Sequence, residues 1–133
     1  MSASGVQPFE AIAIVGLGLI GGSVAKDVRR LGLAREILGY DHNEEYHKEI
    51  KSEKLVDYLS NAPDEKLSQA ELVLLAVPVK SFKNILPLIL PNISSTAILT
   101  DTGSVKSPLL KMMYSHDYKK IRFLGGHPIA GSE

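Results

Sequence analysis

Apolar residues in this chain come in short continuous runs, and helical-period or polar stretches separate them. Residues 11–15, AIAIV, are the first run, and residues 19–31 then carry apolar positions at helical spacing until Gly32 stops them. The next runs, at 36–41 (EILGYD), 71–77 (ELVLLAV), 96–101 (TAILTD) and 121–126 (IRFLGG), read as four more strands. Helices are expected over about 44–54 and 81–90, the latter bounded by Pro91, and a further one starts at Pro108 with Ser107 as its cap. Residues 54–69 stay unassigned, because they are too polar for a core helix and too long for a simple turn. Buried-looking strands that alternate with helices predict a parallel sheet covered on both faces, a doubly wound α/β fold.

The turn after the first strand reads GLGLIGG, with Gly16, Gly18 and Gly21 in G-x-G-x-x-G spacing. In that pattern the first glycine allows the tight turn, the second lets a pyrophosphate approach the backbone, and the third lets the helix pack closely on the sheet. The amides of Leu19, Ile20 and Gly21 would then face the phosphates from the helix start. Asp41 follows twenty residues after Gly21, at the end of the second strand, where a carboxylate accepts hydrogen bonds from ribose hydroxyls. The plainer reading is that the glycines serve only a tight turn and that Asp41 caps the next helix. Strand, turn, helix and acid together favour a Rossmann-type dinucleotide-binding domain. The charge of Asp41 would repel a 2′-phosphate, and neither His42 nor Asn43 is an arginine that could offset it, so NAD is favoured over NADP.

Composition narrows the picture further. At 133 residues the chain fits one domain, residues 1–133, whose first nine residues are expected to form a flexible or edge segment. Fifteen Lys and Arg balance fifteen Asp and Glu, which leaves no long-range field to gather nucleic acid or an anionic membrane. The absence of cysteine rules out a disulfide, a thiolate metal site and a cysteine nucleophile. The opening MSASGVQP has neither the basic start nor the apolar stretch of a secretory signal, and the expectation is a soluble cytoplasmic protein.

Ligands of open α/β sheets lie outside the carboxyl ends of the strands. The candidates there are Gly16 to Gly21, Asp41, Val77-Pro78, the stretch DTGSVK (101–106) and His127. Val77-Pro78 reads either as a strand terminator or as a wall against the nucleotide. DTGSVK reads equally as a polar turn into the next helix. His127 follows an apolar strand and two glycines, and an imidazole there could exchange a proton with a substrate hydroxyl near neutral pH. His42, His47 and His116 sit in polar company and read as solvent-exposed, and no second ligand stands at metal spacing with His127.

GLGLIGGS, LLAVPV, DTGSVK and GGHPIAGSE, in that order and spacing, resemble the prephenate dehydrogenase family, which includes arogenate dehydrogenases. The resemblance implies NAD-dependent oxidative decarboxylation of prephenate to 4-hydroxyphenylpyruvate in tyrosine biosynthesis. It implies that His127 bonds the substrate's ring hydroxyl, that Ser104 orients both and also lies at the cofactor, and that Ser132 and Glu133 sit at the substrate pocket. Members of the family continue into a helical domain that closes the cleft and forms a homodimer. The resemblance implies that the 133-residue chain is the cofactor-binding half, expected to bind NAD and to turn over prephenate poorly or not at all. Two alternatives stand beside it: another NAD(P)-dependent dehydrogenase of the hydroxyacid type, and a non-catalytic NAD-binding module.

Overall fold

The fold is that of a computed structural model, which describes residues 7–102 and 122–124. Its strands are β1 (Phe9–Val15), β2 (Ala34–Tyr40), β3 (Tyr58–Ser60), β4 (Leu72–Leu75), β5 (Ile98–Asp101) and β6 (Arg122–Leu124). Its helices are α1 (Leu19–Leu31), α2 (Glu44–Ser52) and α3 (Phe82–Ile89). The strands form one six-stranded sheet in the order β3-β2-β1-β4-β5-β6, and every neighbouring pair is parallel. The chain builds outward from β1 through β2 to β3 and then returns to place β4 on the other side of β1. The order therefore reverses between β1 and β4.

Alternation along the strands sorts the core into two layers. Ala13, Val15, Leu38, Tyr40, Val73, Leu75 and Leu99 face Phe82, Leu86 and Ile89 of α3. Ile12, Ile14 and Ile37 face Ala25 and Val28 of α1 and Ile50 of α2. Gly21, Ala25 and Val28 form the buried stripe of α1, and Gly32 ends that helix in the left-handed conformation at φ 64°. Burying side chains such as Phe82 and Ile89, both fully enclosed, contributes roughly 1.5–3 kcal/mol each.

Element boundaries move modestly from those expected. β1 begins at Phe9, whose amide donates to the Leu33 carbonyl (2.9 Å), so that residue belongs to the sheet and not to a free segment. β4 stops at Leu75, and a single 3₁₀ turn over Val79–Ser81 precedes α3. The unassigned stretch contains β3 and a 3₁₀ helix, Glu65–Gln69, that Asp64 caps. The expected helix at Pro108 lies outside the described residues.

Asp64 secures this part of the fold. Its carboxylate accepts from the Tyr40 hydroxyl (3.0 Å), the Tyr58 hydroxyl and the Lys66 amide (3.1 Å), while the two rings meet edge to face at 6.1 Å. Burial, then the bond to Asp64, lifts the Tyr40 phenol far above its ordinary range, and the bond to Asp64 leads the causes that lift Tyr58. Asp64→Ala strands a fully buried hydroxyl and removes a cap, with an expected loss of about 2–4 kcal/mol in urea unfolding. In the unfolded chain the phenols ionise near pH 10, whereas the folded chain keeps their protons. The tyrosine contribution to stability is therefore full below about pH 10 and falls above it. Melting temperatures taken from neutral to alkaline pH should show that fall in the wild type and a shallower one in Asp64→Ala.

Candidate functional site at the sheet switch point

Each strand end is tied to its neighbour one residue beyond the ladder. Asp41 N–H donates to Ser60 O (3.0 Å), Gly16 to Tyr40 O (2.7 Å), Ala76 to Val15 O (2.7 Å) and Thr102 to Leu75 O (3.1 Å). The carboxyl edge of the sheet is thus a fixed rim, and the glycine turn rises from its middle.

The three glycines of the turn are not equivalent. Gly16 has φ +101°, and a Cβ there would lie 2.5 Å from the Ala76 carbonyl oxygen. A Cβ on Gly21 would lie 1.7 Å from the Gly16 carbonyl oxygen. Neither position can hold a side chain without the turn moving. Gly18 has an ordinary φ of −71°, and the nearest atoms a Cβ there would meet are those of the Tyr46 phenol at 3.6 Å, a normal contact. The fold itself leaves room for a methyl group at residue 18, so the bare backbone there keeps the start of α1 open. Gly18 caps that helix without a side-chain bond, and no acid stands in its first turn. The first amides of α1 therefore face outward at the positive end of the helix dipole. Leu19 is 89% exposed and Ile20 48%, which places two large apolar side chains beside this opening.

Asp41 is engaged on both oxygens. Its Oδ2 accepts from the Leu17 amide (2.6 Å) and its Oδ1 from the Asn43 amide (2.8 Å), with the side chain only 8% exposed. A carboxylate offers about four acceptor sites, so capacity remains for ribose hydroxyls. Asn43, not Asp41, caps α2, accepting from the Glu45 amide (3.0 Å). His47 is half-buried, not solvent-exposed as its polar company suggested, and its Nε2 donates to the Asp41 carbonyl (2.6 Å). A carbonyl only accepts, so this bond fixes the tautomer with the proton on Nε2. His42 remains 95% exposed, 3.9 Å from Oδ1.

A cleft of about 450 Å³ runs over this rim. Gly16, Gly18, Asp41, Val77 and Pro78 all line it, so the structure brings together most of the residues expected to hold a cofactor. Gly21 lies beneath the turn, and Leu19 lines an adjoining cavity of about 350 Å³ between α1 and α2. Tyr46 borders both spaces. Pro63, after β3, and Ile85 and Leu88 of α3 complete the apolar wall. The sequence reading gave a helix over 81–90 without naming this wall; Leu88 is 42% exposed. Ser104, His127, Ser132 and Glu133 lie outside the described residues. Asp101, at the end of β5, is buried and engaged. Among the described residues no cluster of His, Cys, Asp and Glu could hold a metal ion, and no helix is long and apolar enough to cross a membrane.

A doubly wound parallel sheet with an open glycine turn at its switch point and an acid at the neighbouring strand end defines a nucleotide-binding domain of the dehydrogenase type. The chain belongs to the prephenate dehydrogenase family: the model of that family's nucleotide-binding domain matches residues 24–133. That match begins after the glycine turn and so does not depend on it. The cyclohexadienyl dehydrogenase of Zymomonas mobilis is 32% identical over 125 residues, 94% of this chain and 42% of the relative. The prephenate dehydrogenase of Lactococcus lactis is 35% identical over 91% of this chain and 34% of its own length. Among solved structures, the Aquifex aeolicus prephenate dehydrogenase in complex with hydroxyphenyl propionate and NAD+ superposes with a TM-score of 0.80 at 33% identity, over 96% of this chain and 44% of that one. The Synechocystis arogenate dehydrogenase gives 0.73 at 32% identity, over 92% of this chain and 42% of that one. The chain thus spans less than half the length of these relatives.

The steric asymmetry of the turn is directly testable. Gly16→Ala and Gly21→Ala should each cost about 3 kcal/mol or more, by backbone strain and overpacking respectively. Gly18→Ala should cost about 1 kcal/mol or less while weakening nucleotide binding. Paired thermal melts and nucleotide titrations would separate the two classes.

Proposed function

We propose that this chain is the NAD-binding part of an enzyme that oxidatively decarboxylates prephenate or the related cyclohexadienyl acid arogenate, a step of tyrosine biosynthesis. The observation that carries the cofactor reading is the pairing of an unobstructed Gly18 with the Asp41 carboxylate in one cleft at the switch point. Support for the substrate class comes from family membership and from relatives named for prephenate, arogenate and cyclohexadienyl substrates. NAD, when bound, accepts the hydride from the hydroxyl-bearing ring carbon. The helix start holds the pyrophosphate, Asp41 accepts from the adenosine ribose, and Val77, Pro78 and Ile85 exclude water from the nucleotide.

In this reading the neutral imidazole of His127 takes the proton of the ring hydroxyl, and Ser104 orients the two. Ser132 and Glu133 border the substrate. The ring's carboxylate leaves as carbon dioxide as the ring becomes aromatic. The remaining length of the full enzyme closes the cleft, supplies further substrate contacts and makes the dimer, so this chain alone binds cofactor better than it turns over substrate.

Calorimetric titration of the 133-residue chain with NAD and with NADP tests the proposal. We expect a micromolar Kd for NAD, at least about tenfold weaker binding of NADP, and a smaller difference between them in Asp41→Asn. Tighter NADP than NAD would remove the role given to Asp41, and binding of neither would remove the nucleotide reading.

A further inference from the structure

We infer that Tyr46 is a phosphate-binding residue of the cleft, a hydroxyl donor added from α2 to the amides of the glycine turn. The inference rests on the nucleotide reading above and adds to it a contact from outside the turn. Three atoms of the phenol, Cε2, Cζ and Oη, stand 3.6–3.7 Å from where a Cβ of Gly18 would be, so the hydroxyl end of the ring lies against the open residue of the turn. Tyr46 is 39% exposed and borders both the cleft and the cavity beside α1. Its hydroxyl makes no hydrogen bond to any described residue, whereas those of Tyr40 and Tyr58 are both bonded to Asp64.

The placement is built into the chain. Asp41 binds the Leu17 amide in the turn and the Asn43 amide at the start of α2, and Asn43 caps that helix. The Tyr46 amide donates to the Asn43 carbonyl (3.1 Å), which sets the first turn of α2. The His47 bond to the Asp41 carbonyl pins the next residue. One carboxylate thus fixes the turn and the helix that carries the phenol, which sets the Tyr46 backbone opposite Gly18. A pyrophosphate seated on the first amides of α1 lies within reach of that hydroxyl, which can donate a charge-assisted hydrogen bond to a phosphate oxygen.

Tyr46→Phe keeps the ring on Gly18 and removes only the donor. Calorimetric titrations of the wild type and this variant with NAD, ADP and adenosine test the inference. We expect NAD and ADP to weaken by about tenfold in Tyr46→Phe, with adenosine unchanged. Unchanged ADP affinity would overturn the inference, and so would equal weakening of adenosine, which would move the contact to the ribose or base. Those outcomes leave the cofactor reading intact, because wild-type binding of NAD is measured in the same series. A wild type that binds neither NAD nor ADP would remove both.

Discussion

A methyl group at residue 21 would sit 1.7 Å from the carbonyl oxygen of Gly16, and the rest of the rim follows from that contact. The turn can be this tight only because two positions carry no side chain, and its tightness seats α1 directly on the sheet through Gly21, Ala25 and Val28. With α1 so close, its amino end stands at the centre of the carboxyl edge, between β1 and β4, where the reversal of strand order leaves a gap. A looser turn would still fold into a strand and a helix, but the helix start would point elsewhere. Packing density and the placement of the helix start have a single steric origin here.

Around that contact the rim is organised by hydrogen bonds, with little contribution from charge pairing. The Lys and Arg ion pairs among the described residues lie on partly or largely exposed side chains, each worth little in water. Two carboxylates act instead as acceptors for backbone amides and hydroxyls, Asp41 in the turn and Asp64 after β3. Each of these two acids joins a strand end to a segment distant in sequence. The C-terminal half of β2 is correspondingly enclosed, with Ile37, Leu38 and Tyr40 at 1% exposure or less.

The features legible in the sequence were those written in contiguous residues. Short apolar runs marked β1, β2, β4, β5 and β6, and the spacing of Gly16, Gly18, Gly21 and Asp41 gave the turn and its acid. β3 was illegible because Tyr58, Leu59 and Ser60 are all half-buried and form no apolar run; parallel pairing with β2 holds them in place. His47 and Tyr46 escaped for a related reason, since their partners, Asp41 and Gly18, are reached only through the fold. The apolar wall at Ile85 and Leu88 went unnamed because helical spacing does not say which side of a helix a cleft will open on. Asp41 was read correctly in position, but its bonds to two amides were invisible, since a carboxylate at a strand end has the same one-letter code whether it faces a guest or its own backbone.

That double engagement ties recognition to architecture. In a rim where the discriminating acid is only a lining group, a single exchange can redirect preference between nucleotides at small structural cost. In this chain the same exchange would free the Leu17 and Asn43 amides and loosen both walls at once. A descendant without this carboxylate would therefore need a second change to take over the two orphaned amides. Asp41 is in this sense a hinge pin of the rim, and drift at that position is constrained by folding.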